Sequence, residues 1–364
     1  MIAQTRTVVA VGLPVVALAS VVMSLASYTV VVPPQLPQTI AVSQTNIHPI
    51  PISKNEYQKL VDQKESSKTA FAPLLSQTFL APKAIPIDES MLKNETGTEL
   101  ITLTSVQNQP LISAQAALVI DELSGTILYD RNSDATLAPA STTKLMTALV
   151  GLDLYKLSDV LTVSDLQGLD GARIGLFKGE QITVDQLLMA LLIQSGNDAA
   201  MVLARSHPEG EVGFVRDMNN KALALGLYST HFANPMGYDD PNQYSTARDL
   251  AILGREVMKN QLLRTIVSKP SATIADVTGK FSHKITSTNI LLQDSTVVGI
   301  KTGTTTEAGQ VLITQREANG KSILTVLMAS QDRYADAKIL QEWVQNEIQW
   351  ISLEELTELT SNAQ

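Results

Sequence analysis

Pro139-Ala-Ser-Thr-Thr-Lys-Leu-Met-Thr-Ala-Leu149 reads as the first turns of a buried helix behind a proline, with Ser141 and Lys144 three residues apart. That spacing puts both side chains on one helix face. A hydroxyl at a helix start lies beside backbone N–H groups that have no intrahelical partner and can support an oxyanion. A serine hydroxyl is a weak nucleophile until something takes its proton. A lysine does so if burial and a nearby cation lower its pKa. Leu145, Met146, Ala148 and Leu149 supply the burial. Alone, the pair is better read as a helix-capping serine and a solvated lysine.

Two further short patterns follow in order: Ser195-Gly196-Asn197, then Lys301-Thr302-Gly303. Ser195 falls in a turn between two apolar helical stretches, where a hydroxyl can relay a proton to a leaving amine. Asn197 can hold Lys144 or a substrate amide. Lys301 supplies the missing cation and, with Thr302, a partner for a carboxylate. The apolar, β-branched run from Val297 to Thr302 reads as a strand ending at Gly303, an edge along which a peptide can lie as an added strand. Gly303 permits close approach of backbone and substrate.

The rest of the chain sets the frame. Ala117–Asp121 and Thr126–Tyr129 read as a hairpin turning at Ser124-Gly125. Helices are expected over 141–154, from Thr183-x-x-Gln186 (a capping box) to Gln194, and over 199–205, 211–225, 245–259 and 332–350. Strands are expected over 272–277, 280–286, 311–316 and 322–328, the last two joined at Asn319-Gly320. Strands at both ends with helices between them predict an α/β (α+β) domain: one mainly antiparallel sheet packed against helices, with a helical subdomain.

The chain has 364 residues, a net charge of −9 and no cysteine. The charge argues against nucleic acid as a partner. The absence of cysteine removes disulfides, thiolate metal sites and a cysteine nucleophile. The four histidines show no metal-ligand spacing, so neither metal nor cofactor is expected. Thr7 to Val32 is uncharged and mostly apolar, long enough for a membrane-crossing helix, with Arg6 before it on the cytoplasmic side. Residues 1–32 are therefore expected to be a signal anchor, or a signal peptide cleaved after Ala26. Residues 33–112 hold nine of the fifteen prolines and read as an extracytoplasmic linker. If flexible, a linker of about 80 residues spans roughly 50 Å. The globular domain is expected over 113–350, with a short tail over 351–364.

The ordered set Ser-x-x-Lys, Ser-x-Asn and Lys-Thr-Gly is shared, with Asp in the middle of the second element, by class A β-lactamases and penicillin-binding proteins; here that residue is Gly196. From Ala114 to Trp350 the chain resembles the low-molecular-mass penicillin-binding proteins, the serine-type D-alanyl-D-alanine carboxypeptidases of peptidase family S11. The blocks LLIQSGNDAA (Leu191–Ala200), Asn234-Pro-Met-Gly237, Ser245-Thr-Ala-Arg-Asp-Leu250 and Gly299-Ile-Lys-Thr-Gly303 carry the likeness with the helix quoted first. The resemblance implies a β-lactamase/DD-peptidase-like fold and a hydrolase that takes the D-Ala-D-Ala end of peptidoglycan stem peptides and is inhibited by β-lactams. It implies Ser141 as acylated nucleophile, Lys144 as its base, Ser195 as proton relay, and Asn197, Lys301, Thr302 and Gly303 as substrate-binding. The Ser141 and Thr304 N–H groups would form the oxyanion hole, and Arg333 would help hold a terminal carboxylate. Gln243 stands where relatives often have histidine before Tyr-Ser-Thr, so no catalysis is expected there. The chain ends soon after Trp350, short of the β-rich domain and C-terminal anchor of many relatives; the N-terminal segment is expected to replace that anchor. A cross-link endopeptidase fits the same motifs. A β-lactamase needs a carboxylate to drive deacylation through water, and Glu209 and Glu211, which follow Asn197, stand in no Glu-x-x-x-Asn arrangement; a silent wall-binding protein sits poorly with intact Ser141, Lys144, Ser195 and Lys301. The expected location is the bacterial cell membrane with the domain outside, or secreted or periplasmic after signal cleavage.

Overall fold

Ala116–Asp121 (β2) is buried on both faces, and its neighbours explain why. In a computed structural model, which describes residues 100–103 and 109–351, β2 is an inner strand of a five-stranded antiparallel sheet. The sheet order is β3-β2-β10-β9-β8, with β3 at Ile127–Arg131, β8 at Val297–Thr305, β9 at Gly309–Ala318 and β10 at Lys321–Ser330. Side chains alternate across the sheet. Ala116, Leu118 and Ile120 join the helical core on one face, while Ala117 and Val119 meet Leu340, Trp343 and Val344 of α7 (Arg333–Glu347) on the other. Each such Leu, Val or Ile removed from water contributes about 1.5–3 kcal/mol.

The helical side holds α1 (Lys144–Leu154), α2 (Val184–Ile193), α3 (Asn197–Arg205), α4 (Gly210–Ala224), α5 (Ala247–Lys259) and α6 (Gln261–Val267). Two small antiparallel pairs flank it: β4 (Val160–Thr162) with β5 (Gln181–Thr183), and β6 (Ser271–Ala275) with β7 (Ser282–Thr286). The architecture is the antiparallel sheet with helices and a helical subdomain read from the sequence. The β9–β10 turn has Asn319 at φ 53° and Gly320 at φ 73°, the left-handed pair that an Asn-Gly hairpin needs.

Four boundaries differ from expectation. Leu100–Leu103 (β1), inside the stretch read as linker, pairs antiparallel with Ile348–Ile351 (β11). The closing helix accordingly stops at Glu347 instead of running to Trp350. β8 continues through Lys-Thr-Gly to Thr305, because β9 pairs with it as far as Gly309. The capping box at Thr183 does not form: its hydroxyl bonds the Asp185 carboxylate, while Gln186 Oε1 accepts from the Ala275 N–H. The apolar run 7–32, most of the linker and the tail beyond Ile351 lie outside the described residues. Among the described residues no helix is long and apolar enough to cross a membrane.

Candidate active site

Pro139 opens a single 3-10 turn, Ala140–Thr143, that leads into α1. Lys144 is therefore the first residue of the α-helix, one turn above Ser141. Its Nζ donates to Ser141 Oγ at 2.8 Å and to the Met236 carbonyl at 2.6 Å, and the side chain is fully buried. Burial first, and the Lys301 charge second, hold its pKa well below that of an ordinary lysine; the Asp198 carboxylate pulls the other way.

Ser195 lies in the turn between α2 and α3 at φ 63°, a conformation that costs a non-glycine residue free energy and marks functional turns. Its Oγ accepts from Lys301 Nζ at 2.8 Å. Lys301 sits in β8, is 1% exposed and also donates to the Thr302 carbonyl at 3.0 Å. Burial, reinforced by Arg333, pulls its pKa from 10.5 to about 7. Two Ser–Lys pairs thus face one another, Ser141–Lys144 from the helix start and Ser195–Lys301 from turn and strand. The Thr302 hydroxyl is 2.6 Å from that of Thr288.

Glycine fixes the clearances. A Cβ on Gly303 would lie 2.7 Å from Ser141 N, so this glycine serves the approach of β8 to the nucleophile's own backbone. A Cβ on Gly237 would lie 1.9 Å from the Ala140 carbonyl oxygen, and Ala140 itself has φ 48°. The Asn234 carboxamide shapes that loop by accepting from the N–H groups of Met236, Gly237 and Tyr238. Gln243 is structural: it accepts from Ala233 N and donates to Thr143 Oγ1.

Residues 103–332 match the sequence profile of peptidase S11, D-alanyl-D-alanine carboxypeptidase. The chain belongs to this family. Among S11 relatives, D-alanyl-D-alanine carboxypeptidase DacF of Bacillus subtilis is 33% identical over 233 residues, covering 62% of this chain and 60% of that protein. The chain thus spans less than two thirds of DacF. A D-alanyl-D-alanine endopeptidase of Pseudomonas aeruginosa is 35% identical over 245 residues, 65% of this chain and 79% of that protein. The crystal structure of a DD-transpeptidase from Streptomyces (strain K15) superposes with a TM-score of 0.61 at 32% identity, covering 65% of this chain and 98% of that one.

Of the residues read from the sequence, Ser141, Lys144, Ser195, Lys301, Thr302 and Gly303 converge. Thr304 follows on the exposed edge of β8. Asn197 lies beside them, but its amide donates to Asp170 O and Tyr238 Oη and not toward Lys144. Arg333 reaches the same edge from the start of α7, already engaged. It donates to the Gly303 and Val311 carbonyls at 2.7 and 2.9 Å, to Gln310 Oε1, and to Thr304 Oγ1. It braces β8 against β9, and these bonds use all of its N–H groups but one on Nη2. Asp198 belongs to none of the three sequence patterns. It is 1% exposed, and its carboxylate accepts from the N–H groups of Ile174, Gly175 and Leu176. The sequence offered only its place beside Asn197 as a signal.

Proposed function

We propose that this chain is a serine DD-carboxypeptidase that removes the terminal D-alanine from peptidoglycan stem peptides through an acyl-enzyme on Ser141, and that β-lactams inhibit it by acylating the same oxygen. The observation that carries the reading is the pair of 2.8 Å Ser–Lys contacts, with both lysines buried and held below the ordinary lysine pKa. A lysine held well below its ordinary pKa is a base near neutral pH.

Lys144 Nζ takes the proton of Ser141 Oγ as the oxygen adds to the carbonyl of the penultimate D-alanine. The oxyanion lies between the N–H groups of Ser141 and Thr304. The C–N bond then breaks, and the proton held on Lys144 passes through the Ser195 hydroxyl, itself bonded to Lys301, to the leaving amine of D-alanine. Water then adds its oxygen to the acyl carbon as the ester C–O bond breaks, and its proton passes by way of Lys144 to Ser141 Oγ. Lys301, Thr302 and Arg333 take the terminal carboxylate, with Arg333 exchanging its Thr304 contact for it. Asn197 holds the peptide on the acyl side. The uncharged run Thr7–Val32 supports a domain tethered outside a bacterial membrane, or released there after cleavage.

A second reading, cleavage of peptidoglycan cross-links, is favoured by the 35% identity to a protein named as an endopeptidase. Labelling with a fluorescent penicillin, with and without Ser141→Ala, tests the mechanism: label on the wild type and none on the variant is expected. Product analysis on a monomeric pentapeptide and a cross-linked dimer tests the substrate. Release of D-alanine from the pentapeptide alone supports the carboxypeptidase, and label persisting on Ser141→Ala overturns both readings.

A further inference from the structure

The side chain of Asn197 is held before any ligand arrives. Its Nδ2 donates to the Asp170 carbonyl at 2.7 Å and to Tyr238 Oη at 3.2 Å, and its backbone N–H donates to the Ala172 carbonyl at 2.7 Å. A carbonyl oxygen can only accept, so the amide nitrogen must face Asp170 and the orientation is fixed. The Tyr238 hydroxyl donates in turn to the same Asp170 carbonyl. Three groups from separate parts of the chain therefore close a small ring of hydrogen bonds at the border of the site.

Both sides of the ring are anchored. The 170–176 segment is clamped by Asp198, whose buried carboxylate accepts three successive backbone N–H groups. Tyr238 is fixed by the Asn234 turn, whose neighbouring Gly237 abuts Ala140 beside the nucleophile. Gly171 leaves no slack: at φ +76°, a Cβ there would lie 2.8 Å from Asn197 Nδ2 and 3.8 Å from the Tyr238 ring. Burial pushes the Tyr238 hydroxyl pKa up, so the proton that closes the ring stays in place through neutral pH.

We propose that Tyr238 is a positioning residue for acyl transfer: its hydroxyl fixes the Asn197 side chain and ties the 170–176 segment to the nucleophile's loop, so that the acyl-side wall is ordered before substrate binds. The proposal rests on the acyl-transfer reading of the site. Ordering a carboxamide in advance spares the complex the rotamer entropy it would otherwise lose on binding. The effect therefore falls on acylation efficiency and KM, and reaches the chemistry only through Asn197.

The test is a double-mutant cycle on the full chain, read by the rate of acylation by a fluorescent penicillin and by kcat and KM on a D-Ala-D-Ala pentapeptide. Tyr238→Phe removes only the hydroxyl. It should lower acylation efficiency roughly 3- to 10-fold, the worth of one hydrogen bond, mostly through KM. Added to Asn197→Ala, it should cost nothing more, because the group it positions is gone. Gly171→Ala reaches the same amide from the other side and should reproduce the loss, which keeps the cycle decisive if Tyr238→Phe folds poorly. Wild-type acylation by Tyr238→Phe, or losses that multiply in the double variant, overturns the proposal while leaving the nucleophile assignment standing. A wild type that takes no penicillin label overturns the acyl-transfer reading itself, and this proposal with it.

Discussion

Lys301→Met separates the stability cost of the buried amine from its function. In the unfolded chain this lysine titrates near 10.5, and in the fold near 7. Below pH 7 it is charged in both states, and burying that charge costs the folded protein about 5 kcal/mol at about 1.4 kcal/mol per pH unit of displacement. Between pH 7 and 10.5 the unfolded chain binds a proton that the folded one has released. This group's contribution to stability therefore rises with pH across that window. Methionine has similar length and no charge. It forfeits the bonds to Ser195 Oγ and the Thr302 carbonyl, about 1 kcal/mol each. The variant should thus be more stable than wild type by about 3 kcal/mol at pH 6.5, while penicillin labelling is lost. The advantage should shrink by about 1.4 kcal/mol per pH unit from pH 7.5 to 9.5, a range in which folded Lys301 has shed its charge and no longer acts on Lys144. Urea unfolding at four pH values across that range measures it. A difference that does not change with pH would show that Lys301 keeps its proton in the fold and refute the argument.

Gly303→Ala should lower penicillin acylation about 10²-fold, because its Cβ, 2.7 Å from Ser141 N, must displace the nucleophile's backbone; a stopped-flow rate near wild type would mean that β8 yields instead. The terminal carboxylate should be worth roughly 10-fold or more in kcat/KM when an acyl-D-Ala-D-Ala acid is compared with its amide, and Arg333→Ala should erase part of that preference. Equal rates on acid and amide would favour the endopeptidase. A chain beginning at Glu99 should keep its Tm and penicillin labelling, whereas one beginning at Ser113 loses β1 and should melt roughly 5 °C lower; identical Tm values would show that the β1–β11 pair contributes nothing.

The sheet, the helical side and the convergence of three motifs were legible because local chemistry specified them. A continuous apolar run ahead of the Ser124-Gly125 turn marked β2, and the Asn319-Gly320 dipeptide marked the β9–β10 turn. Most of what failed depended on partners distant in the sequence. β1 is four residues in a proline-rich context, with no pattern until β11 lies beside it. Ile348–Ile351 continues the apolar period of α7, so only the pairing reveals a strand. Gly303 looked like a strand terminator, but its reason for being glycine is the Ser141 backbone across the gap. Tyr238 and Asp170 meet over 68 residues of chain, and neither carries a motif. The Thr183 box was a sound local signal that lost to Asp185, a competing acceptor two residues away.

The fit of the nucleophile turn between Gly237 and Gly303 also bears on how such a protein can change under antibiotic selection. Both glycines meet backbone atoms, which cannot rotate aside as a side chain can. Narrowing the site at that point to exclude a drug would move Ser141 and, on the proposed reading, slow turnover of the natural substrate together with drug acylation. Variants that discriminate between the two are therefore expected in the walls away from these glycine contacts, where the exposed Thr304 side chain can alter shape without shifting the reacting oxygen. On this geometry, freedom to change lies around the nucleophile rather than at it.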